Sequence, residues 1–286
     1  MKKILTTITF ALSLSAQAQN DSIDLCQFAV VYDFKTKTAD RDGNAVTDSA
    51  QLAVLVGSHT AKCMEYNRAM LEEFGVTDRE YMYGEWDARK YNLPVIYVNH
   101  PNGMVCSYDK IVPNRYFVSE SLPDFEWELQ KDTMSIGGYV CQKAVGTYAG
   151  REWIAWYAEE LAAPYGPWKV RGLPGMVLSA EDSKGIFSFS FAGLIQKTAT
   201  LRQMGKGGYT EMSKDKFVKH RNKTFCSKRY VENPRYYIPE NMFKDMGAVE
   251  MWPGGPEPPA EEKITVIATD LIVPKKVNVY QPLELK

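Results

Sequence analysis

Residues 166–178 read GPWKVRGLPGMVL, and how this stretch is taken decides the fold. Three glycines and two prolines crowd its first ten positions before an apolar run opens at Met176. Gly-Pro and Pro-Gly pairs mark turns whose backbone angles few other residues adopt. A residue before proline, here Gly166 and Leu173, is pushed toward extended conformations. The spacing predicts two linked turns that deliver a strand beginning near Met176. Gly166, Pro167, Gly172, Leu173, Pro174 and Gly175 then set backbone geometry and carry no chemistry of their own.

Strands are expected on both sides of these turns. Downstream, Phe187, Phe189 and Phe191 alternate with Ser188 and Ser190, the period of a strand with one buried face. It pairs with 176–180 through the turn at Glu181-Asp182-Ser183-Lys184. Upstream, 139–147 and 151–157 form a hairpin around Tyr148-Ala149-Gly150, and a second hairpin turns at Asn102-Gly103 between 93–99 and 104–110. Further strands are expected over 25–36, 50–56, 116–120, 125–129, 264–273 and 277–285. Ser58 is expected to cap a helix to about Phe74, with Cys63, Tyr66, Met70 and Phe74 as its inward stripe. Ser213 caps another from Lys214 to about Phe225, and 78–92 shows no clear period. Strands joined by short turns, without strand–helix alternation, predict a mainly β (α+β) fold: one curved antiparallel sheet or half-barrel with one or two helices.

The stretch GLPGMVL resembles the signature of the GLPGLI family, with Met176-Val177-Leu178 in the Leu-Ile place. Gly138-Tyr139-Val140-Cys141-Gln142-Lys143-Ala144 is similar to the family's GY-x-C-x-KA segment, and Trp153 to Tyr157 with Gly166-Pro167 to its W-x-A-W-Y…GP segment. Tyr280 to Leu285, YQPLEL, is similar to its C-terminal NPIEL, departing at Gln281. The resemblance covers most of the chain and is densest over 136–196. It implies a secreted protein of Bacteroidetes-type bacteria with no established biochemical activity and no catalytic motif to carry over. The architecture is also similar to that of periplasmic lipoprotein carriers, a fold-level analogy.

Met1 to Ala18 reads as a secretory signal: Lys2 and Lys3, an apolar centre over 4–14, and Ala16-Gln17-Ala18 as the cleavage site. The expected product is periplasmic or extracellular. No later apolar run has the length of a transmembrane helix. The expected organisation is a signal at 1–18, a β-rich domain over 19–250, a Pro/Gly-rich loop at 251–262, and C-terminal strands over 263–286 returning to the same domain. Setting Lys2 and Lys3 aside moves the net charge from −1 to about −3, which argues against general nucleic-acid binding. An oxidising compartment permits disulfides. The five cysteines are odd in number and widely spaced. Cys106 with Cys141 is the expected pair, both lying in predicted strands, against the alternative that all are buried thiols.

The constellations that would carry chemistry are sparse. His59 and Cys63 share a helical spacing that suits a metal or a thiol–imidazole pair, but no third partner stands at useful spacing. Ser58 follows Gly57 without the second glycine of a nucleophile elbow. Gly205-Lys206-Gly207-Gly208 lacks the P-loop spacing. No catalytic residue, metal ligand or cofactor is assigned. The basic run Lys214, Lys216, Lys219, His220, Arg221, Lys223, Lys228 and Arg229 suits either a solvated helix face or peripheral contact with an anionic surface. Asp21-Ser22-Ile23, Asp48-Ser49-Ala50 and Asp132-Thr133-Met134 match a three-residue O-glycosylation pattern that arises readily by chance. Trp153, Trp156, Tyr157, Tyr165 and Trp168 are divided between core and the lining of a ligand groove. The expected function is a non-enzymatic envelope protein binding an apolar, peptide or protein ligand near the GLPGM turn. The alternatives are an envelope hydrolase or thiol enzyme with dispersed catalytic residues, or a metal-binding envelope protein.

Overall fold

A computed structural model describes residues 22–39, 44–76, 93–111, 114–225 and 283–284. The predicted signal, the segment 78–92, the loop at 251–262, the strand at 264–273, nearly all of the one at 277–285, Cys226, Lys228 and Arg229 lie outside them.

The described chain runs β1 (Ser22–Cys26), β2 (Phe28–Ala39), β3 (Ala45–Val56), β4 (Ala61–Glu65), α1 (Tyr66–Glu72), β5 (Val95–Val98), β6 (Met104–Ile111), β7 (Asn114–Ser121), β8 (Glu128–Ile136), β9 (Tyr139–Tyr148), β10 (Arg151–Ala158), β11 (Met176–Asp182), β12 (Phe187–Ile195), β13 (Ala199–Arg202), β14 (Thr210–Ser213) and α2 (Lys214–Phe225). Twelve strands form one open, curved sheet in the order β14-β7-β6-β5-β4-β3-β2-β12-β11-β10-β9-β8, and β1 pairs with β13 as a separate ribbon. Every pairing is antiparallel except that of β14 with β7. The fold is the mainly β, antiparallel sheet with two helices that the strand pattern predicts.

The hairpins fall where their turn residues place them. Arg151 faces Tyr148 across the 149–150 turn, and Ala180 faces Phe189 across the 183–186 turn. In β10, Trp153, Ala155 and Tyr157 are buried while Glu152, Ile154 and Trp156 take the outer side. The predicted strand 25–36 is divided by Gln27 into β1 and β2.

The first helix differs from expectation. Residues 61–65 form β4, buried along its whole length, and the helix is only Tyr66–Glu72, capped by Glu65, whose carboxylate accepts the amides of Asn67 and Arg68. Cys63 joins one core layer, while Met64 joins the other. A central strand with apolar side chains on both faces satisfies its backbone between β3 and β5 and needs no amphipathic stripe. Ser58 caps nothing; its hydroxyl donates to Asp24.

Alternation assigns the two layers. Val30, Tyr32, Leu52, Val54, Ile96 and Trp153 belong to the larger one. Ala29, Ala53, Leu55, Tyr97 and Tyr108 belong to the second, with Ala69 and Phe74 of the α1 region and Cys26 and Leu201 of the ribbon. At the end of the sheet, β8 has a register slip between Leu129 and Thr133 that leaves Lys131 and Asp132 in an irregular stretch. Such a bulge blunts an open edge.

Candidate ligand groove

The larger layer is covered by the turns of the 166–178 stretch. The chain leaves β10 at Ala158, crosses the inner face of the sheet and re-enters it as β11. Gly172 N–H donates to Pro164 O at 3.1 Å, Val177 N–H to Tyr165 O at 2.9 Å and Met176 N–H to Leu161 O at 2.9 Å. The two turns are thereby closed on each other. Tyr32 Oη donates to Val177 O at 2.5 Å and Trp127 Nε1 to Arg171 O at 2.8 Å. Tyr165, Trp168, Val170, Leu173 and Met176 are all buried. Gly172 has φ +92°, and an added Cβ at Gly175 would lie 2.2 Å from Ala158 O, so one glycine serves the turn and the other a close backbone approach. Trp168 holds φ +55°, an outlying value for a bulky side chain. Its ring is packed 5.6 Å from Trp153 and 5.8 Å from Tyr148.

This placement corrects the expected aromatic groove. Trp153 and Tyr157 are 0% exposed and form core, as does Trp168. Trp156 is half-buried on the outer side, 6.0 Å from the Lys143 ammonium. Tyr165 lines an open cleft. The cross-sheet segment fills the space those rings were expected to line.

What stays open is a groove along the rim of that segment. One cleft of about 320 Å³ is lined by Gln27, Phe28, Tyr139, Leu161, Leu194, Gln196 and Thr198. A second of about 330 Å³ shares Gln27 and Phe28 and continues past Ala163, Pro164 and Tyr165 to Ser58, His59 and Asn99. The floor is apolar, and amides and hydroxyls stand along the sides. Sequence reasoning missed Phe28, Leu161 and Leu194, which share no motif and meet only through β2, β12 and the 159–165 segment. The Gln27 break between two strand patterns was the available signal.

The polar end is rigid. Asp24 accepts the Ser58 hydroxyl at 2.7 Å and the amides of His59 at 2.8 Å and Thr60 at 3.0 Å. Burial opposes its ionisation, yet the His59 amide and the Ser58 hydroxyl outweigh it and hold its pKa at about 2. The His59 carbonyl in turn accepts Tyr165 Oη at 2.7 Å and Asn99 Nδ2 at 2.8 Å. The groove end is thus tied to both β1 and the signature segment.

Among the described residues the predicted chemical constellations are not assembled. Cys106 and Cys141 are free thiols, a correction to the expected disulfide: Cys106 lies in the second core layer and Cys141 in the larger one. Cys26 and Cys63 are also free and buried. Burial pushes the Cys26 thiol up to about 11 and that of Cys63 to about 12, against the thiolate character a nucleophile needs. His59 is exposed in the β3–β4 turn, away from the helical spacing that paired it with Cys63. His100 Nε2 lies 3.2 Å from Gln203, and His220 Nε2 lies 3.2 Å from Tyr116 Oη. Among the described residues no group of three His, Cys, Asp or Glu side chains is placed to hold a metal ion. Lys206 sits in an exposed loop, 3.9 Å from the Phe117 ring.

The basic run of α2 is divided. Lys216, Lys219, His220 and Lys223 face solvent, whereas Lys214 pairs with Glu120 at 3.0 Å and Arg221 with Glu284 at 3.4 Å and Asp109 at 3.6 Å. Lys169, within the signature stretch, pairs with Glu120 and with Glu284 at 2.5 Å. Among the described residues no helix is long and apolar enough to cross a membrane.

No protein-family model matches the chain, and no curated protein matches it. Among solved structures it is similar to PNGF-II in two crystal forms. In the first the identity is 14% and the TM-score 0.46, covering 69% of this chain and 33% of that one. In the second the values are 15% and 0.42, covering 67% and 32%. The chain therefore spans about a third of PNGF-II. A LolA superfamily protein from Nitrosomonas europaea is similar at 12% identity and TM-score 0.22, over 64% of this chain and 90% of that one. The fold assignment stands on the strand order and registers themselves.

Proposed function

We propose that this chain is an exported envelope protein, of the kind its resemblance to the GLPGLI family implies, and that it binds an extended peptide segment in the groove along residues 161–165. The observation that carries this reading is that two neighbouring clefts share Gln27 and Phe28 in their linings. The apolar floor takes side chains, and the amides and hydroxyls of Gln27, Gln196, Thr198 and Ser58 suit the polar atoms of an extended backbone. Four buried thiols with raised pKa values make the thiol-enzyme alternative the weaker one.

Native mass spectrometry of protein gently purified from its own envelope tests the reading. A retained peptide is expected on the unaltered chain and absent from the double variant Leu161→Glu/Leu194→Glu, both positions being half-exposed. An empty chain, a retained acyl chain instead of a peptide, or equal retention by the variant refutes it.

A further inference from the structure

The contacts made by Leu283 and Glu284 are those of a ligand in a site. Glu284 is 2% exposed. Its carboxylate meets Lys169 Nζ at 2.5 Å on one oxygen and Arg221 at 3.4 Å on the other. Its main-chain carbonyl accepts Asn222 Nδ2 at 3.3 Å, and that of Leu283 accepts Arg151 Nε at 3.2 Å. The Leu283 side chain packs against the larger core layer. The main chain is met by Arg151 of β10 and Asn222 of α2, and the carboxylate by Lys169 of the signature stretch and Arg221 of α2. Arg151 is itself held by Asp182 at 2.8 Å, and Lys169 by Glu120, so the receiving side chains are positioned by partners other than the dipeptide.

Charge favours an acidic occupant. Around Glu284 stand Lys169 and Arg221, both largely buried, with Lys214 at the more open side on Glu120. Buried cations in a desolvated site gain from each added carboxylate partner. Burial works against ionisation of Glu284, but Lys169 and Arg221 outweigh it and hold its pKa below the usual carboxylate value.

We infer that Arg151, Lys169, Arg221 and Asn222 form a recognition clamp for a peptide that presents an apolar residue followed by an acidic one, occupied in cis by Leu283–Glu284. The occupant lies 62 residues beyond Asn222 along the chain, so it meets the clamp intramolecularly, at an effective concentration. The clamp discriminates by carboxylate: an uncharged replacement loses the ion pairs to Lys169 and Arg221.

The test uses the full chain carrying Leu283→Gly/Glu284→Gln, and a fluorescent synthetic peptide of residues 280–286, YQPLELK. Anisotropy should show the peptide binding the double variant at least ~10-fold more tightly than it binds the unaltered chain, whose own segment competes. The peptide with Glu284→Gln should bind the double variant at least ~10-fold more weakly. Absence of binding to a variant with unaltered circular dichroism overturns the inference, as does equal binding of the two peptides. Should the double variant unfold, Glu284→Gln alone gives the second arm. Amide exchange at Leu283 and Glu284 should then rise at least ~10-fold with that of β9 and β10 unchanged; unchanged exchange at the two residues overturns it.

Discussion

Replacing Gly175 by alanine should be far more damaging than making the same change three residues earlier, at Gly172. A Cβ at 175 would stand 2.2 Å from Ala158 O, 2.6 Å from its carbonyl carbon and 2.8 Å from Glu159 Cα. All three atoms are main chain, so no rotamer change gives relief. A carbon–oxygen contact of about 3.3 Å needs roughly 1 Å of separation between the two crossing strands of backbone. That movement pulls on the pairing of Ala158 with Met176 and on the Met176 amide bond to Leu161 O. Overpacking of about 1–3 kcal/mol with one or two weakened hydrogen bonds of about 1 kcal/mol each gives a loss of about 2–5 kcal/mol. At Gly172 the nearest atoms to a new Cβ belong to Trp127 at 3.9 Å and 4.0 Å, and only φ +92° is at issue, about 1–2 kcal/mol. Urea unfolding of the two variants reads the difference as separated midpoints with an unchanged slope. If the Gly175 variant loses no more than the Gly172 variant, the close crossing of 158 and 175 is wrong, and with it the covering of the inner sheet face.

Lys169→Met should cost about 3–5 kcal/mol in the same assay, by leaving Glu120 and Glu284 short of a buried cation; adding Glu284→Leu should recover part of it, and a neutral single variant would contradict the buried network. Burial raises Asp109 to about 6 from its ordinary 3.8, against the attraction of Arg221. The folded state therefore holds a proton there that the unfolded chain does not between those values, so this group adds stability as pH falls through 6 and withdraws it as pH rises. Asp109→Asn should flatten the profile between about pH 4 and 6; an unchanged profile refutes the assignment. Glu284 acts oppositely, its contribution fading as pH falls below the ordinary carboxylate range. Alkylation with peptide mapping should find Cys26, Cys63, Cys106 and Cys141 protected in the folded chain and modified in denaturant; an intact disulfide between 106 and 141 would contradict the separation of the core layers.

The sheet was legible where local chemistry and burial agree. Phe187 and Phe189 alternate with serines, and Tyr148-Ala149-Gly150 turns between two aromatic runs; each pattern answers to a single interface. Residues 61–65 were not legible, because a strand buried on both faces loses its period of two, and the spacing of Cys63, Tyr66 and Met70 imitates a helix. The aromatic residues around the signature were recognised as a cluster, but their division between core and surface depends on a segment that packs on the sheet's larger apolar layer. The groove residues Phe28, Leu161 and Leu194 are ordinary apolar positions until the chain brings them together. Asp24 shows the same difficulty on the polar side: its partners at 58–60 are more than thirty residues away.

The covering of the inner face by residues 159–175 has a bearing on traffic. A carrier with a hollow interior must open to load and must hold its cargo by enclosure. Here the interior space is already spent on the chain's own tryptophan, valine and leucine. If the rim groove is the binding site, loading takes place at the margin, and residence times answer to the side chains that the visitor touches there.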